Sequence, residues 1–253
     1  MSVRYEERGH VAVLTIDRPE ARNAVNGDVA RGIEEGLDRA EASGVRVAIL
    51  TGVPPVFCAG ADLKAIGAGE GHTLSTERGG FAGVTERVRT VPLIAAVDGP
   101  ALAGGTEIVL ACDLVVASET ARFGIPEVKR GLIAGGGGLF RLGRVLPLNV
   151  AMEAALTGDP IDAPTAHRHG LVNALCAPGE ALEAALALAE RVAANAPISV
   201  LESRRLVADT AGLSEAEAWE RTHAAAARVL ATEDVKEGVR AFIERRDPVW
   251  TGT

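Results

Sequence analysis

The N-terminal part of the chain carries two hydrophobic patterns that are typical of β-strands. Apolar and polar residues alternate over 3–6, and a continuous apolar run follows at 11–16. Alternation is typical of a half-exposed strand and a continuous run of a buried one, so the two segments predict a hairpin. A helical pattern over 28–42 is predicted to end at Gly44, and a further buried strand is predicted at 45–51.

The middle of the chain alternates between strand and helix patterns. Strands are predicted at 93–97 and 114–117, with a helix at 105–111 between them. This alternation reaches about residue 125 and predicts an α/β fold with more strand than a simple doubly wound sheet. The segment 67–83 is rich in Gly and small polar residues, and we expect a loop or a mobile helix that is too poor in apolar residues to join the core.

The C-terminal part is predicted to be helical from about Gly138 onwards. Capping signals predict helix starts at 162–164, 214–217 and 232–234, the last helix ending near 247–248. The expected layout is an α/β core over residues 1–195 and a smaller helical region over residues 196–253.

Composition excludes several classes of protein. The chain has 253 residues, of which 47% are hydrophobic and only 3% aromatic, so we expect a globular protein with a core of Ala, Val, Leu and Ile. The net charge of −8 argues against a nucleic-acid binder. Cys58, Cys112 and Cys176 are odd in number and far apart, which is typical of reduced thiols. With no signal core and no membrane-length apolar run, we expect a cytoplasmic protein.

Common catalytic and cofactor motifs are missing from the sequence. It contains no dinucleotide-binding fingerprint, no phosphate-binding loop and no Gly-x-Ser-x-Gly nucleophile motif. His167 and His169 lack further ligands nearby, so we interpret them as surface residues and predict no metal site. Cys58 has no histidine in a recognisable partner context and is interpreted as a buried structural thiol.

Three glycine-marked segments remain as candidates for chemistry. The first, 57–63, follows a buried strand; its small residues would let a ligand approach backbone N–H groups, or they form a tight strand-to-helix turn. The second, 97–107, leads through a glycine turn into an apolar helix with free N–H groups at its start. Glu107 in its first turn is either a surface residue near the helix dipole or a buried carboxyl of the kind found at functional sites.

The third segment contains a second carboxyl and a run of glycines. Glu127 follows Pro126 and is unremarkable by itself, since most glutamates lie at the surface. The four glycines at 135–138 mark either another backbone surface approached by a ligand or a flexible connector. Together the three segments offer two sets of backbone donors and two carboxyls, which suit acyl-thioester chemistry through an enolate-like transition state.

At these residues the chain resembles the crotonase (enoyl-CoA hydratase/isomerase) superfamily. Each motif alone is unspecific, whereas their order and spacing together are specific. The motifs are Asp17-Arg18-Pro19-Glu20-Ala21-Arg22-Asn23-Ala24, Ala59-Gly60-Ala61-Asp62, Ala103-Gly104-Gly105 and Phe123-Gly124-Ile125-Pro126-Glu127. The resemblance extends from the first hairpin to 242–246. It implies an α/β fold that is a crotonase-like spiral of ββα units with a helical C-terminal trimerisation region.

The resemblance also implies an activity and its residues. The N–H groups of Ala61 and Gly104 would form an oxyanion hole, Glu107 would help to activate water and Glu127 would deliver a proton to C2. The implied enzyme is an enoyl-CoA hydratase, a lyase of fatty acid metabolism that forms a 3-hydroxyacyl-CoA by syn addition of water. No metal or redox cofactor is implied, because coenzyme A is part of the substrate. The implied CoA-thioester contacts are Arg22, Ala24, Ala59, Ala61, Asp62, Leu63, Gly104 and Pro126.

Further implications concern the assembly and the phosphates of CoA. The family pattern implies a homotrimer or a hexamer made of two trimers, with no nucleic-acid or membrane partner. Additional basic candidates near CoA are Lys64, Arg245 and Arg246.

One departure from the pattern leaves alternatives open. Fatty-acid hydratases read Pro-Gly-Ala-Gly-Gly-Thr-Gln where this chain has 134–140, near the acyl pocket. The acyl specificity therefore stays open. An enoyl-CoA isomerase, another acyl-CoA lyase resembling carnitinyl-CoA dehydratases and a non-catalytic acyl-CoA binding protein remain as alternatives, although isomerases of the family typically keep a single glutamate.

Overall fold

A computed structural model describes residues 2–253 of the chain. By compactness the chain divides into two units, Met1–Ala189 and Glu190–Thr253. The boundary predicted after residue 195 remains a prediction, because compactness does not define where an oligomerisation region begins.

The described strands belong to three sheets. They are β1 Val3–Arg8, β2 Val11–Ile16, β3 Val47–Gly52, β4 Ser75–Thr76, β5 Gly80–Phe81, β6 Leu93–Val97, β7 Pro100–Leu102, β8 Leu114–Ser118, β9 Arg122–Gly124, β10 Ile161–Asp162 and β11 Ala174–Cys176. The main sheet has the order β1-β2-β3-β6-β8-β11, with only β1 antiparallel to its neighbour. A smaller sheet has the order β10-β9-β7, and β4 pairs with β5. The predicted hairpin and the predicted strands of the main sheet are confirmed.

The helices of the first unit lie between these strands. They are α1 Gly27–Ser43, α2 Leu63–Gly67, α3 Gly104–Ala111, α4 Gly138–Val145, α5 Leu148–Thr157 and α6 Ala163–Arg168, with 3₁₀ turns at Pro19–Ala21, Gly71–Leu74 and Pro126–Arg130. Helix α7, Ala181–Ala193, crosses the division between the units. Each parallel pair of strands requires a crossover connection, and helices supply most of them, so the predicted α/β class is confirmed.

Helix α1 illustrates how the local sequence selects an element. The Asn26 side chain accepts a hydrogen bond from the N–H of Val29, and Gly44 ends the helix in the left-handed conformation. Val29, Ile33 and Leu37 recur every four residues and are fully buried. One face of α1 therefore packs into the core, as its periodicity predicts.

The glycine-rich segment 67–83 differs from its prediction. It contains the 3₁₀ turn Gly71–Leu74 and the β4–β5 pair, and Leu74 and Ala82 are buried in the core. The prediction that this segment is too poor in apolar residues to join the core is wrong. Elements of two to four residues are too short to show a period, so the sequence pattern could not reveal them.

The second unit contains the helices α8 Pro197–Asp209, α9 Glu215–Leu230 and α10 Glu233–Glu244. The capping box predicted at 214–217 is present: the Ser214 hydroxyl accepts a hydrogen bond from the N–H of Glu217, and the Glu217 carboxylate accepts one from the N–H of Ser214. Helix α10 ends at Glu244, before the predicted 247–248, because Arg245 adopts the left-handed conformation. No single helix within residues 2–253 has the length and apolarity of a membrane span, although α7 and α8 taken together meet that criterion by length and composition.

Candidate active site

A cavity of about 870 Å³ in the first unit brings the candidate residues together. It lies where β7 leads into α3 and where the turn after β3 leads into α2. The predicted site residues that line it are Arg22, Ala24, Ala59, Ala61, Asp62, Leu63, Lys64, Gly104, Glu107, Pro126 and Glu127. Residues more than a hundred positions apart in the sequence thus share one cavity.

Two backbone N–H groups at this cavity have no partner within residues 2–253. Ala61 pairs with Val25 in a parallel bridge whose hydrogen bonds use the carbonyl of Gly60 and the N–H of Asp62, which leaves the Ala61 N–H free. Gly104 is the first residue of α3, where an N–H has no acceptor inside the helix. The two segments touch, because a Cβ built on Gly60 would lie 2.9 Å from the Gly104 nitrogen.

The backbone around these donors is closely packed and partly strained. Gly60 has a φ of 93°, and Ala103 has a φ of 51°, which an L-residue rarely adopts. A Cβ on Gly104 would lie 2.5 Å from the ring of Phe81. Strained residues persist where the surrounding structure holds them, and they cluster at functional sites. The strained residue Ala103 and the first residue of α3, Gly104, both line the cavity.

The structure resolves the two interpretations of Glu107 in favour of burial. Its residue surface is only 4% exposed, and its Oε1 accepts a hydrogen bond of 3.0 Å from the N–H of Gly138. Burial raises the pKa of this carboxyl, and the hydrogen bonds from Gly138 and Gly136 and the charge of Arg141 oppose that rise. Glu107 is therefore a buried carboxyl whose pKa is raised by burial and held back by backbone hydrogen bonds.

The glycine run 135–138 forms the wall against which Glu107 packs. A Cβ on Gly136 would lie 2.9 Å from Oε2 of Glu107, and a Cβ on Gly138 would lie 2.8 Å from its Cγ. Both contacts are closer than side chains tolerate, so glycine is required at both positions if the carboxyl is to keep its place. The run is therefore part of the carboxyl's packing as well as of the cavity wall.

Glu127 lies in the 3₁₀ turn Pro126–Arg130 on the same cavity. Its Oε2 is buried and has no hydrogen-bond partner among the described residues. Burial raises the pKa of Glu127, a hydrogen bond from its own backbone N–H opposes that rise, and the negative charge of Glu107 adds to it. An unpaired carboxyl oxygen with a raised pKa, beside a second carboxyl, is suited to giving and taking protons.

Asp62 begins helix α2 and is anchored by an arginine that the sequence did not single out. Its carboxylate accepts hydrogen bonds from the N–H groups of Lys64 and Ala65 and pairs with Arg18 at 3.0 Å. Burial acts to raise the pKa of Asp62, but these hydrogen bonds outweigh it and the pKa is lowered. Arg18 also donates to the carbonyl of Ala24, so it fixes two segments that line the cavity. In the sequence, a role for Arg18 at the cavity was indicated only by its position in the motif 17–24.

Two further cavity residues lie in the glycine-rich segment and its continuation. Phe81 packs on Gly104, and the exposed carboxylate of Glu86 lies over Gly80. Leu132 and Ile133 also line the cavity with exposed apolar side chains. None of them could be recognised from the sequence, because the packing of distant segments is what places them on the cavity.

The remaining candidates lie away from this cavity or have other partners. Burial raises the pKa of the Cys58 thiol to about 12, which agrees with a structural thiol. A ring nitrogen of His167 lies 2.8 Å from the carbonyl of Val172. Arg245 and Arg246 belong to the second unit, where Arg246 pairs with Glu237 and Glu244. A role for these two arginines near CoA stays a prediction.

Comparisons with known proteins agree on one family. The sequence model of the enoyl-CoA hydratase/isomerase family matches residues 6–253. Enoyl-CoA hydratase EchA19 of Mycobacterium tuberculosis is 40% identical over 251 residues, covering 96% of this chain and 94% of that protein. Carnitinyl-CoA dehydratase of Salmonella arizonae is 36% identical over 258 residues, covering 99% and 98%.

The solved structures agree with the sequence comparisons. A crystal structure of an enoyl-CoA hydratase from Mycobacterium tuberculosis aligns with a TM-score of 0.96 at 50% identity, covering 100% of this chain and 99% of that one. The predicted crotonase-like fold with a C-terminal helical region is therefore confirmed.

Proposed function

The chain belongs to the enoyl-CoA hydratase/isomerase family, and we propose that it adds water across the C2=C3 double bond of a 2-enoyl-CoA thioester by syn addition to give a 3-hydroxyacyl-CoA. The observation that carries the proposal is the pair Glu107 and Glu127, which line one cavity with two unpaired backbone N–H groups. An enzyme of this type needs all four groups around one thioester.

The N–H groups of Ala61 and Gly104 would bind the thioester carbonyl. Attack at C3 moves negative charge onto that oxygen, which becomes enolate-like. Each preorganised donor of such a pair is worth about 3–4 kcal/mol to the transition state. The packing around Gly60 and Ala103 supports this role, because the donors need no rearrangement when the charge develops.

The two carboxyls would divide the proton transfers between them. A water molecule loses a proton as its oxygen bonds to C3, and C2 gains a proton, so the reaction consumes one water and needs no net acid or base. In the proposed division Glu107 helps to activate the water and Glu127 delivers the proton to C2. Burial raises the pKa of both carboxyls, which suits each of them to take up and release a proton in this division.

The substrate's CoA portion would run along the segments at Arg22–Ala24 and Ala59–Lys64. Their place on the cavity supports this, and Arg22 and Lys64 supply positive charge for phosphates. The reaction is redox-neutral and its protons are carried by carboxyls, so the proposal includes no metal or redox cofactor. The product chemistry fits fatty acid metabolism.

One observation favours a second candidate substrate. The exposed carboxylate of Glu86 and the ring of Phe81 line the same cavity, and together they suit a cationic group on the acyl chain. Carnitinyl-CoA, which carries a trimethylammonium group, is the substrate in the name of several relatives at 36% identity. An isomerase or a non-catalytic acyl-CoA binding protein is less well supported, because both glutamates are retained.

We propose that the protein assembles as a homotrimer or as two trimers. Helices α4 and α5 expose several large apolar side chains, which is unusual for an isolated surface: Phe140, Val145, Leu148, Met152 and Leu156. Measuring the molar mass in solution by light scattering tests the oligomeric state.

We also propose a cytoplasmic location, because the three cysteines form no disulfide among the described residues.

The deciding experiment follows the conjugated enoyl-thioester absorbance after protein is added to crotonyl-CoA, a longer enoyl-CoA, a branched enoyl-CoA and crotonobetainyl-CoA. Loss of absorbance with a 3-hydroxyacyl-CoA product supports hydration. A migrated double bond without added water supports the isomerase, and binding without turnover of any substrate supports the binding protein. A preference for crotonobetainyl-CoA that Glu86→Gln removes supports the cationic substrate, whereas an unchanged preference in that variant excludes this role of Glu86.

A further inference from the structure

Arg141, on helix α4, joins the two walls of the cavity without lining it. Its Nη1 donates a hydrogen bond of 3.1 Å to the carbonyl of Gly136, and its Nη2 donates one of 2.6 Å to the carbonyl of Thr85. Its guanidinium also lies over the ring of Phe140, 4.9 Å from the ring centre. Its guanidinium is partly buried and donates hydrogen bonds to two backbone carbonyls.

Each carbonyl belongs to a segment that contacts a proposed catalytic group. Gly136 is in the glycine run whose Gly138 N–H holds Oε1 of Glu107. Thr85 is in the segment that contains Phe81, whose ring packs on Gly104 at the start of α3. One side chain thus fixes the wall behind the carboxyl and the wall behind an N–H donor.

The two hydrogen bonds of Arg141 need the geometry of a guanidinium. Burial lowers the pKa of Arg141, and the positive charges of Arg89 and Arg144 lower it further. A guanidinium holds its donors in a rigid plane and can serve two separate acceptors, whereas an ammonium is a single point charge on a flexible stem. An apolar residue could fill the same space, but it would leave both carbonyls without these donors.

We propose that Arg141 is a positioning residue that holds the Gly136–Gly138 backbone so that the Gly138 N–H fixes the carboxyl of Glu107 for water activation. This inference rests on the proposed hydratase function. It assigns Arg141 no contact with the substrate, and it therefore predicts a loss of rate with little loss of substrate binding.

The test compares Arg141→Ala and Arg141→Lys with Arg144→Ala. Arg144 is a matched control, because its guanidinium lies over the same Phe140 ring at 5.0 Å but has no hydrogen bond to the glycine run. In both Arg141 variants we expect kcat on the best enoyl-CoA substrate to fall by about 10²-fold, with KM changed by less than about threefold. The Arg144 variant should keep both constants.

Two further readouts separate positioning from a general loss of structure. Added guanidinium at a non-denaturing concentration should raise the kcat of Arg141→Ala by at least about tenfold, whereas added ammonium should leave that kcat unchanged. Amide hydrogen exchange at Gly138, measured by NMR or mass spectrometry, should accelerate in both Arg141 variants and stay unchanged in Arg144→Ala. The melting temperature of each variant confirms that it is folded.

The outcomes distinguish this inference from the proposed function. If the wild-type protein hydrates no enoyl-CoA, the function is wrong, and accelerated exchange at Gly138 still supports the positioning contact. If Arg141→Lys is folded and keeps wild-type kcat, the positioning role is overturned. If kcat falls while Gly138 exchange is unchanged and guanidinium gives no rescue, Arg141 acts in another way and the inference is equally refuted.

Discussion

Replacing Gly138 by alanine should lower the catalytic rate without unfolding the protein. The added Cβ would lie 2.8 Å from Cγ of Glu107 and 3.1 Å from its Oε1. Ordinary contacts begin near 3.4 Å, so the side chain has to retreat by about 0.6 Å, the difference between these two distances. Because misplacing a catalytic group by roughly 1 Å can cost about 10²-fold in rate, we expect kcat to fall by at least about tenfold.

Stability should respond much less than the rate. Gly138 is the first residue of α4 and does not have a left-handed φ, so alanine can adopt its backbone conformation. Alanine is favoured over glycine in helix interiors by about 0.5–1 kcal/mol, and a close contact with Ile125 at 3.1 Å offsets part of any gain. The melting temperature should therefore remain close to that of the wild type.

Gly143 supplies the matched control within the same helix. A Cβ built there meets no atom within 4 Å, so Gly143→Ala should stabilise the protein slightly and leave kcat unchanged. The assay is steady-state hydration followed by loss of enoyl-thioester absorbance, together with thermal denaturation at a fixed protein concentration. Wild-type kcat in a folded Gly138→Ala variant would refute the idea that the glycine run sets the position of Glu107.

Three other predictions test the two carboxyls and the buried thiol. Glu127→Gln should lower kcat by about 10²–10⁴-fold with little change in substrate affinity. Steady-state kinetics measures the rate, and binding of a product CoA ester measures the affinity. Near wild-type turnover in this variant would exclude Glu127 from the mechanism. Because burial raises the pKa of Glu107, the folded protein binds that proton more tightly than the unfolded chain, and stability is lost as the pH rises through the folded pKa. The Glu107→Gln variant should therefore have a higher melting temperature than the wild type at pH 7. This difference in melting temperature should vanish below about pH 4, where the wild-type carboxyl is protonated in both the folded and the unfolded state. An equal difference at both pH values would contradict the link between Glu107 protonation and stability. The thiol of Cys58, with its pKa raised to about 12, should resist alkylation at pH 8 until the protein is denatured, and rapid labelling of the native protein would show that it is accessible.

The burial of the Glu107 carboxyl is expected to lower the stability of the protein at neutral pH. Its carboxyl lies on an otherwise apolar helix, where a neutral side chain of the same shape would be better tolerated at neutral pH. The hydrogen bond from Gly138 and the charge of Arg141 reduce the cost of keeping the ionised form. Carboxyls with pKa values shifted by burial are enriched at functional sites, which is consistent with the role proposed for Glu107.

The sequence by itself determined the elements whose signals are local. The hairpin β1–β2, helix α1 with its end at Gly44 and the capping box at Ser214 follow from periodicity and from side chains close together in the sequence. The candidate carboxyls Glu107 and Glu127 could also be found from the sequence, because both lie in motifs with a fixed order along the chain. Periodicity and capping are properties of neighbouring residues, so no tertiary structure is needed to detect them.

Only the tertiary structure decided the burial of Glu107, the role of the glycine run and the pairing of Arg18 with Asp62. Glu107 and Gly138 are 31 positions apart, and Arg18 and Asp62 are 44 apart, yet each pair is hydrogen bonded. The sequence left Glu107 as a surface or a buried residue, and it left the glycines as a ligand surface or a connector. These alternatives depend on which distant segment packs against each residue, and desolvation and close packing exist only once the chain has folded.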